Sequence, residues 1–76
     1  MHPEYLVEMV NDISAFFAPA HEPEKAAAEV AAHLRRAWDP RMRRQVIECW
    51  RAGEGDFTPV ARAGVALLAE ESASPG

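Results

Sequence analysis

The residues able to do chemistry in this chain are few, and most are scattered. The single cysteine, Cys49, has no second cysteine to pair with and no histidine within a few positions. A reactive or metal-binding thiol needs such a neighbour to hold it as thiolate. Cys49 therefore reads as a small buried apolar residue. His2, His21 and His33 lie far apart in sequence. His33, beside Leu34, reads as a helix-flank residue, and a Cys49–His33 metal pair would still lack two of zinc's four usual ligands. No glycine-rich phosphate loop, paired-cysteine metal motif or nucleophile elbow occurs. The carboxylates fall mostly on faces expected to be solvated. These residue types offer no catalytic, cofactor-binding or metal-binding set.

One segment stands apart. Five of the eight basic residues, Arg35, Arg36, Arg41, Arg43 and Arg44, fall within ten positions, offset only by Asp39. Arg41, Arg43 and Arg44 crowd the start of a predicted helix, where cations oppose the helix dipole by a few tenths to about 1 kcal/mol each. The bland explanation is solubility with pairing to Asp39 or a nearby glutamate. The sharper one is bidentate binding of guanidinium to carboxylates on a partner protein, and the cluster as a whole favours it. Trp38 and Met42 lie within the same stretch, and Trp and Arg are the types most enriched in interface hot spots. Trp38 taken alone, like Trp50, reads as core. The candidate partner-binding set is Arg35, Arg36, Trp38, Asp39, Arg41, Met42, Arg43 and Arg44.

The elements that must position this segment are helices. Of six prolines, Pro3, Pro23, Pro40 and Pro59 sit where a helix could begin, the position at which proline's missing N–H costs nothing. Asp39 and Thr58 precede two of them as N-cap residues. Glu4 and Glu24 follow the other two and suit the positive end of the dipole. The first helix is expected over about Pro3–Phe17, with Leu6, Met9, Val10, Ile13, Phe16 and Phe17 as one apolar stripe. The second, about Pro23–Trp38, buries Ala27, Val30, Ala31, Leu34 and Trp38. Pro40 forces Asp39 out of the helical region, so the third helix starts after a sharp corner. It presents Met42, Val46, Cys49 and Trp50, with Ile47 at the edge, and ends near Gly53, a C-cap glycine. The fourth, about Pro59–Glu70, buries Val60, Ala61, Gly64, Val65 and Leu68. Gly64 costs about 1 kcal/mol there relative to alanine, which close helix packing would explain. The expected fold is an all-α compact bundle of about four short helices: one domain over 1–71 and a disordered tail over 72–76.

Composition bounds the function. At 76 residues the chain is one domain with little stability to spare. A lone thiol fits a reducing compartment. No signal-peptide pattern and no apolar run of membrane-spanning length are visible, so the expected location is the cytoplasm. The net charge of −4 and isoelectric point near 5.2 disfavour a phosphate-backbone binder.

The run His33-Leu34 followed by Trp38-Asp39-Pro40-Arg41-Met42-Arg43 resembles the signature of the delta subunit of NAD-dependent formate dehydrogenase. So do Leu6-Val7, Met9-Val10-Asn11-Asp12-Ile13 and Ala15-Phe16-Phe17. The resemblance covers about Leu6 to Arg44 well and Glu48 to Leu68 loosely. It implies membership of a soluble, oxygen-tolerant complex that interconverts formate and carbon dioxide using NAD. In such complexes the large alpha subunit holds molybdenum or tungsten bis-pterin guanine dinucleotide and most iron–sulfur clusters. The beta and gamma subunits carry FMN, further clusters and the NAD site. The delta subunit holds no cofactor and aids assembly or stability. The expectation is a non-catalytic accessory subunit that docks mainly on the alpha subunit through the Arg35–Arg44 corner, with Trp38 or Met42 as anchor. Two alternatives compete. One is a self-associating helical protein built on alanine-rich faces and the two tryptophans. The other is a small helix-turn-helix DNA binder, against which the short turn and the acidic charge both speak.

Overall fold

The computed structural model describes residues 2–73, with side chains from His2 to Glu71. The fold is all-α: α1 (Pro3–Phe17), a 3-10 turn (Ala18–Ala20), α2 (Pro23–Ala37), α3 (Pro40–Arg51) and α4 (Pro59–Ala73). Each α-helix begins at one of the four prolines marked in the sequence. No strand occurs among the described residues. The Cα radius of gyration is 11.2 Å, against about 11 Å expected of a compact chain this long, so the four helices close on one another.

Local chemistry sets the boundaries. Asp39 is extended (φ −74°, ψ 164°), as a residue before proline should be, and its carboxylate accepts the Met42 N–H at 3.0 Å. Thr58 Oγ1 accepts the Ala61 N–H at 3.4 Å in the same way at the head of α4. The end of α3 is a Schellman motif. Gly53 has φ 74°, its N–H bonds to the Trp50 carbonyl, and the Glu54 N–H bonds to the Cys49 carbonyl. α4 runs three residues past its expected end at Glu70, and Glu71 in that last stretch is tied to Arg35 on α2. Of the expected disordered tail, 74–76 lie outside the described residues.

The core joins Leu6, Val7 and Val10 of α1 to Val30, Ala31 and Leu34 of α2. Val46, Ile47 and Cys49 of α3 and Ala61, Val65 and Leu68 of α4 complete it, with Trp38 and Phe57 at its edges. α2 and α4 form the most extensive helix pair, and Gly64 is the reason they can. A Cβ built there would lie 2.7 Å from Val30 Cγ1 and 3.3 Å from the Ala27 carbonyl oxygen.

One expected face is corrected. Phe16 belongs to the apolar stripe read along α1, yet it is 77% exposed, while Val7 and Ser14 are buried. The buried face of α1 is turned by roughly 70° from the centre of the sequence stripe, at about 100° per residue. The cause is the α3–α4 loop, which folds across α1. Gly55 (φ 88°) sits so close to Val7 that a Cβ would meet Val7 Cγ2 at 2.9 Å. Asn11 hooks the same loop: its Nδ2 donates to the Asp56 carbonyl at 2.9 Å and its Oδ1 accepts the Thr58 N–H at 3.0 Å. The buried hydroxyl of Ser14 is satisfied by the Val10 carbonyl at 2.8 Å.

Candidate partner-binding corner

The corner between α2 and α3 gathers the eight residues singled out by sequence and sorts them into two groups. Five are engaged within the fold. Trp38 is only 5% exposed and belongs to the core, so it offers little surface as an anchor. Met42 is half-buried and packs against the same core. Asp39 caps α3. Arg43 reaches back from the first turn of α3 and donates through Nη1 to the Trp38 carbonyl and, at 3.1 Å, to the Arg35 carbonyl. Those carbonyls end α2, where a cation is favoured by the helix dipole. Arg43 thus offsets its poor position at the head of α3 by capping the tail of α2. Arg35 forms a forked pair with Glu71, its Nε at 3.0 Å and its Nη2 at 2.5 Å from the carboxylate, with side chains 52% and 43% exposed.

The other three, Arg36, Arg41 and Arg44, are exposed, and no ion pair engages them among the described residues. Arg41 and Arg44 are three apart on α3 and share a face of it. Glu48 lies one turn beyond Arg44, without an ion pair between them. The result is a rigid corner, pinned by Asp39 and Arg43, that presents three guanidinium groups with their hydrogen-bonding capacity unspent. Planar forks of this kind suit carboxylates.

The remaining chemistry-bearing groups stay apart from this corner. Cys49 is buried, and its Sγ donates to the Glu54 carbonyl at 3.4 Å. Burial pushes its thiol pKa up, and the nearby Glu54 carboxylate adds to the effect. His33 flanks Phe17, with ring centroids 6.3 Å apart. Among the described residues no group of three or more His, Cys, Asp or Glu is arranged to hold a metal ion. No helix among them is long and apolar enough to cross a membrane. Sequence reasoning missed Asn11 as a loop clamp and Glu71 as the partner of Arg35. Neither carries a local signal, because the bonds span 45 and 36 positions.

Searches of curated proteins and of solved structures return no match. A family model does match, over residues 5–65, and its description is "NADH-dependant formate dehydrogenase delta subunit FdsD". That span holds α1 from its third residue, all of α2 and α3 with the corner between them, and the first half of α4. The chain therefore belongs to the delta-subunit family of NADH-dependent formate dehydrogenase, as the run from Trp38 to Arg43 had suggested.

Proposed function

We propose that this chain is a non-catalytic accessory subunit that docks on the large alpha subunit of its formate dehydrogenase and supports assembly or stability of the complex. The observation that carries this reading is the pinned corner with three exposed arginines, Arg36, Arg41 and Arg44, that no ion pair engages among the described residues. A corner held by a helix cap and by an arginine capping the preceding helix loses little conformational freedom on docking, which favours affinity. Three free guanidinium groups fit a carboxylate-bearing surface. Membership of the family supports a setting in which such a surface belongs to another subunit. The redox groups of the complex, molybdenum or tungsten bis-pterin guanine dinucleotide, iron–sulfur clusters, FMN and the NAD site, are then carried by the other subunits. The complex works in the cytoplasm, and this chain touches neither nucleic acid nor membrane.

The test is charge reversal at residues that carry no internal bond. Arg41→Glu with Arg44→Glu should leave the melting temperature of the chain nearly unchanged, since substitutions away from structural features usually stay within about 0.5 kcal/mol. The same variant should lose co-purification with the alpha subunit. Arg43→Glu is unsuited to this purpose, because it would also uncap α2. Full retention of Arg41→Glu/Arg44→Glu by the complex would reject the corner as the docking surface.

A further inference from the structure

The exposed flank of α1 is a second surface unlike the first. Tyr5, Met9 and Phe16 fall within an arc of about 40° on the helix, with Ile13 about 40° further round. Tyr5 is 56% and Phe16 77% exposed, the two large apolar side chains left in solvent among the described residues, while Met9 and Ile13 are half-buried at the core's margin. The stripe is about 16 Å long at 1.5 Å per residue, or three helical turns. Its other border is acidic: Glu8 and Asp12 line a surface depression together with Tyr5 and Met9. α1 carries Glu4, Glu8 and Asp12 and no lysine or arginine. None of these three carboxylates is in an ion pair among the described residues.

We propose that this flank binds an amphipathic helix of another subunit of the complex, with its apolar side on Tyr5, Met9, Ile13 and Phe16 and lysine or arginine side chains against Glu8 and Asp12. The inference rests on the proposed accessory role. Three turns of apolar side chains at helical spacing match the way helical segments are recognised, through anchors one turn apart. Charge decides the occupant. In an antiparallel two-fold pairing of this flank with a second copy, Glu8 and Asp12 would face carboxylates of the same kind, and like charges across an interface are costly; in a parallel one they would find no lysine or arginine on the facing α1. Pairing it with the basic corner of a second copy would be head-to-tail, an arrangement that closes only as a ring and otherwise grows as a filament. A basic amphipathic helix from a different subunit meets neither obstacle. The chain then has two docking faces of opposite charge, α1 anionic and α3 cationic with four arginines against one glutamate. Engaging two sites at once makes the second contact intramolecular and raises avidity without new contacts. Two faces of ordinary size, about 800 Å² each, would cover about a third of the chain's 4965 Å² surface.

The experiment uses the assembled complex with the full chain. Phe16 is replaced by the photoreactive p-benzoylphenylalanine, the complex is irradiated, and the cross-linked peptide is identified. Tyr5→Ser/Phe16→Ser and Glu8→Lys/Asp12→Lys are made alongside, with the melting temperature of each isolated chain as a folding control. The expected result is a cross-link to a lysine- or arginine-bearing helical segment of another subunit. Both flank variants should keep the chain folded yet lower its retention by the complex at least tenfold. A cross-link to a second copy of this chain, or wild-type retention of both flank variants, would overturn the inference. Loss with Arg41→Glu/Arg44→Glu but not with the flank variants removes this inference and leaves the corner reading intact. Loss with the flank variants alone supports the inference and removes the corner.

Discussion

Gly64→Ala is the substitution for which local and tertiary physics disagree most sharply. Within a helix, alanine is better than glycine by about 1 kcal/mol, so local propensity predicts a more stable protein. Between α2 and α4 the new methyl has nowhere to go. It would lie 2.7 Å from Val30 Cγ1, 2.9 Å from Val30 Cβ and 3.3 Å from the Ala27 carbonyl oxygen. Carbon atoms prefer about 3.5–4.0 Å, so the helices must part by most of an ångström or Val30 must turn. Turning is hard, because a β-branched side chain in a helix has one strongly favoured rotamer. Overpacking of this kind costs about 1–3 kcal/mol. Set against the propensity gain, the expected net loss is about 1 kcal/mol, which lowers the melting temperature of a domain this size by roughly 4–8 °C. Thermal and urea melts of the full chain followed by circular dichroism measure it. Val30→Ala, which removes the nearest clashing atom, should cost less in the Gly64→Ala background than in the wild type, with a coupling of at least about 0.5 kcal/mol. A raised melting temperature in Gly64→Ala, or strict additivity with Val30→Ala, would refute close approach as the reason for glycine.

Other consequences are open to the same measurements. Asp39→Ala removes the side-chain acceptor at the head of α3 and should cost about 1 kcal/mol in the urea melt, whereas Asp39→Asn should restore most of it. Glu71→Gln cuts an exposed ion pair and should cost no more than about 1 kcal/mol; the difference from wild type should shrink in high salt. The buried Cys49 thiol has a raised pKa, so its alkylation by iodoacetamide in the folded chain should need a higher pH than in the urea-unfolded chain. Because the unfolded thiol ionises first, this group's contribution to stability is complete below the ordinary thiol pKa of about 8.5 and falls as pH rises from there through the folded value. Equal alkylation midpoints for the folded and unfolded chains would contradict that burial.

What the sequence decided by itself was local. Four prolines, two cap residues and Gly53 fixed where helices begin and where α3 ends, because φ restriction, missing donors and positive φ act within a few residues. The run from Trp38 to Arg43 was enough to indicate the family, whereas Gly64 only suggested a close approach that Val30 and Ala27, more than 30 positions away, turned out to make. Tertiary structure decided everything that depends on what lies across from a residue. Periodicity gave α1 an apolar arc, but only the loop held by Asn11 and Gly55 determined that Val7 and Ser14 go in and Phe16 stays out. Five arginines looked alike in the segment from Arg35 to Arg44. A carboxylate 36 positions away engages Arg35, and the carbonyls at the end of α2 engage Arg43. Long flexible side chains choose partners by proximity in space, which neighbouring residues in sequence do not specify, and so only the fold could separate the arginines that build the corner from those it presents.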